Sequence, residues 1–275
     1  MKFHVQLVAD LQAELLEGPV FDPSNMYLYF VSIYDYRAYR FNPKTKDLIY
    51  IQLASPTSCI FISDSIGIVA ASTLGFFKLD FDTLDFQKIF EIQIPPNTRF
   101  NDGTLDPQGR FLIGTMGYPE IVDNIGAVLS YKSGVVKKLI EGTTISNGIV
   151  FSEDTTRMFF IDTPKRTIAV YQYDVESGNC NYLKDLADFK GAGVPDGMDI
   201  DESGNLWVAE WGGYCVSVWD SITGGKIGTV DIPMQNVTSV CFDNNKNLYV
   251  TTARSCVGDE PKGGALFYVK IDWDV

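Results

Sequence analysis

A short apolar segment ending in a small, hydroxyl or acidic residue recurs six times along the chain: Tyr27 to Ser32, Gly67 to Ser72, Arg110 to Thr115, Met158 to Thr163, Asn205 to Glu210 and Asn247 to Thr252. The last residues fall at 32, 72, 115, 163, 210 and 252, so successive copies lie 40 to 48 residues apart. Each copy follows a turn containing Gly, Asn or Asp and precedes an aromatic-rich segment of mixed apolar and polar residues, such as Phe76 to Phe81 or Ile168 to Tyr173. Turn signals such as Asn42-Pro43 and Ser177-Gly178 close several of these segments, and no amphipathic helix interrupts them. A unit of this length without helices is a β-blade, and radial repetition stabilises a ring of such blades. The predicted fold is therefore all-β: one six-bladed β-propeller domain spanning residues 1–275, with four-stranded blades. Pairing of the N-terminal segment Phe3 to Val8 with Ala265 to Ile271 is expected to close the ring. A β-sandwich would not repeat six times at this interval.

Composition removes whole classes of chemistry. The formal charge of −13 repels nucleic acid and anionic membranes, and no apolar run is long enough to span a bilayer. The alternation of Phe3, Val5 and Leu7 with His4 and Gln6 reads as a strand and not as a signal peptide. Five cysteines, Cys59, Cys180, Cys215, Cys241 and Cys256, lack C-x-x-C spacing and sit mostly in apolar strands, so inert core thiols in a reducing, cytoplasmic setting are expected. The single histidine, His4, leaves no material for a Ser-His-Asp triad or a histidine zinc cluster. Any catalysis must rest on oxygen ligands and carboxylates.

A strand upstream of each repeat carries the candidate site. Taking Asp22, Ser63, Asp106, Ser152, Asp201 and Asp243 as turn anchors and counting back five gives Glu17, Ser58, Asn101, Asn147, Asp196 and Thr238. All six bear side-chain oxygens, and four are followed within two positions by Gly18, Gly103, Gly148 or Gly197. One equivalent position per innermost strand forms a circle around the axis of a propeller, so these six side chains are expected to converge. Two carboxylates at one mouth, set beside two carboxamides, repel each other unless a cation neutralises them. Oxygen donors without thiolate or imidazole suit Ca²⁺, Mg²⁺ or Mn²⁺, with Zn²⁺ also admitted.

The runs Glu17-Gly18-Pro19-Val20-Phe21, Arg99-Phe100-Asn101-Asp102-Gly103, Gly114-Thr115-Met116, Ser146-Asn147-Gly148 and Pro195-Asp196-Gly197-Met198, the last followed by Asn205-Leu206-Trp207-Val208-Ala209, resemble the family of regucalcin, gluconolactonase and luciferin-regenerating enzyme. The likeness runs in order and at blade spacing through nearly the whole chain. It implies a propeller with one divalent metal in its channel and, usually, hydrolysis of sugar lactones. By position it implies Glu17, Asn147 and Asp196 as metal ligands, Asn101 bordering the metal and bonding substrate, and Arg99 gripping substrate oxygens. Many sugar lactonases of the family carry a substrate-contacting Glu three residues beyond the Met of the Gly-Thr-Met run. This chain has Pro119 there, with Tyr118 before it and Glu120 one step late, and these two are the substrate-contacting candidates of that segment.

The expected activity is lactone hydrolysis, with the cation polarising the carbonyl and Asp196 taking a proton from the attacking water. Two alternatives share the constellation: an organophosphate hydrolase of the diisopropyl-fluorophosphatase type, and a non-catalytic calcium-binding propeller. The expected partner is a small lactone, with no obligate protein partner, nucleic acid or membrane. Asp102, Asp106, Asp199 and Asp201 are expected to organise turns or face solvent. Trp207 is assigned to blade core, Met116 and Met198 to packing around the site, and Trp211 and Tyr214, with Tyr118, to the channel lining.

Overall fold

The computed structural model describes residues 1–257 and 260–273, with residues 256, 257 and 260–262 described by backbone alone. The expectation for Cys256 as a core thiol therefore lies outside the described side chains. The molecule is all-β and propeller-like, and its one short 3₁₀ turn, Thr163–Lys165, is the only helical element among the described residues. No helix there is long and apolar enough to cross a membrane.

The six upstream segments are the innermost strands: Leu16–Asp22, Thr57–Ser63, Thr98–Leu105, Ser146–Phe151, Val194–Ile200 and Asn236–Phe242. Each packs against the next and the last packs against the first, which places them around a common axis. The recurring apolar segments are the second strands, buried on both faces. Alternation explains why: in Tyr27–Ser32, Tyr29 and Val31 enter the apolar cluster shared with the following sheet, whereas Leu28 and Phe30 enter the one shared with the last strands of the chain. Six such clusters fill the six gaps between successive units. Outermost strands face solvent and lose this pattern, as in Asn179–Asp188. Trp207 is fully buried in one of the clusters, as expected of blade core.

The expected six separate blades are not what the sheets form. Four are separate four-stranded sheets, the short strands Ser255–Val257 and Glu260–Lys262 pair with each other, and the other strands make one eight-stranded sheet. Its halves join through a single antiparallel pair, Trp211 with Asn236, because the strand Asn205–Trp211 runs far enough to meet the start of the sixth inner strand. The terminal pairing does occur: Lys2–Asp10 lies antiparallel to Ala265–Asp272, from Lys2 opposite Asp272 to Asp10 opposite Ala265. A smaller correction concerns the fourth unit, whose second strand is Arg157–Asp162. Asp162, not Thr163, ends it, and its carboxylate accepts the Thr144 and Ile145 N–H groups at 3.0 and 2.9 Å.

Candidate metal and substrate site

Every inner strand breaks its pairing at the same height. Register shifts fall between Glu17 and Val20, Thr57 and Cys59, Phe100 and Gly103, Ser146 and Ile149, Pro195 and Met198, and Val237 and Ser239. The six polar positions sit at these bulges. A bulge re-aims a side chain that strict alternation would send into the gap between sheets. The glycines after the polar residues serve close approach: a Cβ on Gly148 would meet Met198 Cγ at 2.7 Å, and one on Gly197 would meet Ser239 Oγ at 2.2 Å. Met198 is thus packed under the site, as its assignment to packing anticipated.

The six side chains divide into two groups. Ser58 and Thr238 spend their hydroxyls on the neighbouring inner strand, donating to Phe100 O at 2.5 Å and Leu16 O at 2.6 Å. They stitch the ring instead of joining a ligand set, which corrects the expectation that all six converge. Glu17, Asn101, Asn147 and Asp196 are all buried, and they gather with Arg99. Arg99 Nη1 donates to Asn101 Oδ1 at 2.8 Å, and Asn101 Nδ2 donates to Ser146 O at 3.0 Å and to Asn147 Oδ1 at 3.2 Å. Thr163 donates its hydroxyl proton to Pro195 O at 2.9 Å, so its lone pairs are left to accept Asn147 Nδ2 at 2.8 Å. With its nitrogen committed to Thr163, the Asn147 carboxamide oxygen is the atom that faces Asn101 and is open to a metal.

The electrostatics of the cluster favour a cation beside it. Burial, reinforced by the neighbouring Asp102 carboxylate, pushes Glu17 up to about 8, against the opposing pull of the Gly18 N–H and Arg99. Burial raises Asp196 well above the carboxylate range, with Glu17 and Asp102 adding to it and Asn147 and Arg99 opposing. Asp102 itself is pushed up to about 6 by burial, although its own Gly103 N–H holds it back. Three carboxyl groups that share a water-poor space with one guanidinium are stabilised in ionised form by a cation beside them. Among the described residues no three His, Cys, Asp or Glu side chains form a metal-binding group on their own. The set that fits is mixed, Glu17 and Asp196 with the Asn147 oxygen, and its all-oxygen chemistry suits a hard divalent ion.

Asp102 and Asp199 do not follow the expectation of turn organisers or solvent-facing residues. Both line a cavity of about 440 Å³ that runs along the axis below Glu17. Asp199 accepts N–H bonds from Ile200 at 2.8 Å and Phe242 at 2.9 Å, and burial lifts it to about 6. The two-residue bulge after Phe100 is what sends Asp102 to the channel; no spacing rule in the sequence marks it. Asp106 and Asp201 do organise turns, accepting N–H groups from Gln108 and Arg110 and from Ser203 and Asn205.

The substrate-side candidates are unevenly placed. Arg99 is only 2% exposed; its Nη1 also donates to Phe100 O at 2.8 Å, and its Nε has no partner. Tyr118 is half-buried and stacks with Tyr34, ring centroids 6.4 Å apart, while Arg99 Nη2 reaches Tyr34 Oη at 3.4 Å. Tyr34 is thereby a site residue that no motif marked. Glu120 is exposed, and its backbone carbonyl sits over Gly117 so closely that a Cβ there would meet it at 2.4 Å. Its side chain is not part of the buried cluster. Trp211 and Tyr214 are 37% and 43% exposed and remain at the rim. Met116 is buried and pairs across from Arg99.

A β-ring whose inner strands deliver acidic and amide oxygens to one axial cluster defines a class of channel-centred propeller-like proteins. Residues 15–254 match the SMP-30/gluconolactonase/LRE-like region, and the chain belongs to that family. It is 30% identical to regucalcin of Danio rerio over 276 residues, covering 96% of this chain and 93% of that protein. It is 34% identical to pentonolactonase XacC of Haloferax volcanii, covering 97% and 94%. Among solved structures it resembles a calcium-binding protein, regucalcin, from Agrobacterium tumefaciens, with a TM-score of 0.90, 26% identity, and coverage of 98% and 94%.

Proposed function

We propose that this chain hydrolyses sugar-type lactones with the help of one bound divalent cation held by Glu17, Asn147 and Asp196. The observation that carries the reading is the gathering, in one buried cluster, of two carboxylates of raised pKa, the Asn147 carboxamide, and the donors Arg99 and Asn101. Family membership and the lactonase name of one relative support it, and the calcium-binding title of the Agrobacterium structure supports the cation. In this reading the eight-stranded sheet counts as two blades fused at Trp211 and Asn236, which keeps six inner positions around the axis. The free thiols Cys59, Cys180, Cys215 and Cys241 support a cytoplasmic, reducing setting.

When bound, the cation supplies a Lewis acid at the substrate carbonyl oxygen. Asp196 accepts a proton from the attacking water as the water oxygen bonds to the carbonyl carbon. It returns that proton to the ring oxygen as the ring C–O bond breaks, giving the open hydroxy acid. Arg99 and Asn101 orient the substrate's oxygens: Arg99 has Nε free, and Asn101 is held at both ends by Arg99 and Ser146. Tyr118 stacks with Tyr34, whose hydroxyl accepts from Arg99.

A pH-indicator screen of five- and six-membered sugar lactones, run with Ca²⁺, Mg²⁺, Mn²⁺ or Zn²⁺ and with chelator, tests the reading. Cation-dependent acid release is expected, and it should vanish with chelator. Phosphotriester turnover exceeding lactone turnover would replace this reading by the organophosphate hydrolase. A cation-dependent rise in melting temperature with no hydrolysis would replace it by a non-catalytic calcium-binding protein.

A further inference from the structure

Tyr34 lies in the turn after the strand Tyr27–Ser32, 65 positions before Arg99, yet it covers that buried side chain. The Arg99 guanidinium carbon stands 5.5 Å from the Tyr34 ring centroid, and Nη2 donates to Tyr34 Oη at 3.4 Å. The Tyr34 ring also runs nearly parallel to that of Tyr118, with 20° between planes, although Tyr118 comes from the third sheet. The turn that carries Tyr34 is tied down on both flanks. Ile33 N–H donates to Leu15 O at 2.9 Å, Leu53 N–H donates to Tyr36 O at 2.7 Å, and Asp35 accepts from Ser32 Oγ at 2.5 Å and Glu14 N–H at 3.1 Å. The two rings therefore form a fixed apolar wall with a guanidinium and a carboxamide at its foot.

That juxtaposition suits one shape of ligand: a saturated ring whose C–H face lies against aromatic carbon while its edge oxygens meet N–H donors. Resting on the lactonase reading above, we propose that Tyr34 is a specificity-determining residue of the site. Its ring, continuous with that of Tyr118, receives one face of the cyclic substrate and holds the Arg99 guanidinium in position beneath. The ring and not the hydroxyl carries the effect, because the hydroxyl contact with Arg99 is long.

The test compares wild type, Tyr34→Phe and Tyr34→Ala, each confirmed folded by circular dichroism and thermal melting. Two readouts are taken: KM and kcat on the best lactone from the screen, and the Kd for the matching lactam, which this chemistry leaves unopened, by calorimetry. Tyr34→Ala should raise KM and lactam Kd by about 5- to 10-fold, with kcat within about 2-fold, the size of one lost stacking contact. Tyr34→Phe should stay within about 2-fold of wild type in both. Unchanged KM and Kd in Tyr34→Ala, or an equal rise in both variants, overturns the proposal while leaving the lactonase reading standing. Absence of lactone turnover by the wild type overturns that reading and this inference together.

Discussion

The two ends of the same inner strands use the same residue types to opposite effect. At the turn end, carboxylates are saturated with donors. Asp22 accepts Ser24 N–H at 2.9 Å and Asn25 Nδ2 at 2.8 Å, Asp106 accepts Arg110 Nη1 at 2.5 Å and Tyr173 Oη at 2.6 Å, and Asp201 accepts Trp207 Nε1 at 2.9 Å. Five residues upstream, at the bulge end, Glu17 accepts only its neighbour's Gly18 N–H, at 3.1 Å, and shares its surroundings with two further carboxyl groups. Hydrogen bonding to the charged form stabilises an anion at the turns, whereas burial and like charge destabilise it at the bulges. The turn carboxylates therefore hold the fold together. The bulge carboxylates burden it, and a residue that burdens its fold is a candidate for function.

Removing the carboxylate at the bulge end should have the largest effect on chemistry. Asp196→Asn is expected to cut lactone turnover by about 10²- to 10⁴-fold, the range for a general base, and parental rates in the cation-loaded variant would refute that role. The contrast then predicts a stability loss at the other end. Asp106→Ala removes the anionic partner of the largely buried Arg110, which keeps only the Val175 and Glu176 carbonyls, and leaves the Tyr173 hydroxyl without its acceptor; it should cost about 3 kcal/mol, seen as a fall in Tm of about 6 to 12 °C. Glu17→Gln should do neither. With chelator it melts at or above wild type, because it removes a repelled buried charge. Saturating cation, which should lift the wild-type Tm by about 5 °C, should lift this variant by less than about 1 °C, and a full cation response would remove Glu17 from the ligand set.

The smallest effect belongs to Asp199, which lies between the two ends. Its folded pKa of about 6 lies above the ordinary value of 3.8, so the folded state holds a proton that the unfolded state releases between those values. Stability in chelator should therefore rise as pH falls from about 6 toward 4 and decline as pH climbs back, by about 1 kcal/mol once screening at a partly exposed group is allowed for. Asp199→Asn should make that slope shallower in urea titrations at several pH values, with Asp102 supplying part of what remains; an unchanged slope would assign it elsewhere.

The blade period was readable because burial on both faces demands apolar residues at every position of the second strands, and those runs stand out at regular intervals. The polar positions were readable for a related reason: each lies a fixed distance before a turn-forming carboxylate or hydroxyl. What escaped depended on contacts between distant segments. The fusion of two units rests on one residue pair, Trp211 with Asn236. The division of Ser58 and Thr238 from the ligand set depends on which backbone carbonyl each hydroxyl meets. Asp102 reaches the channel through a bulge that cancels the alternation by which it would be judged, and Tyr34 meets Arg99 only because two non-adjacent sheets lean their loops together.

The seam at Lys2–Asp10 and Ala265–Asp272 makes two stretches far apart in the sequence neighbours. During synthesis the strand Lys2–Asp10 must therefore wait, an unzipped edge, until Ala265–Asp272 is made and supplies its mate. Glu17 is made early and Asp196 late, so the circle that holds both closes only after most of the chain has been made. A premature stop ahead of Ala265 would leave every catalytic candidate intact in the message and yet cost the protein the geometry that unites them.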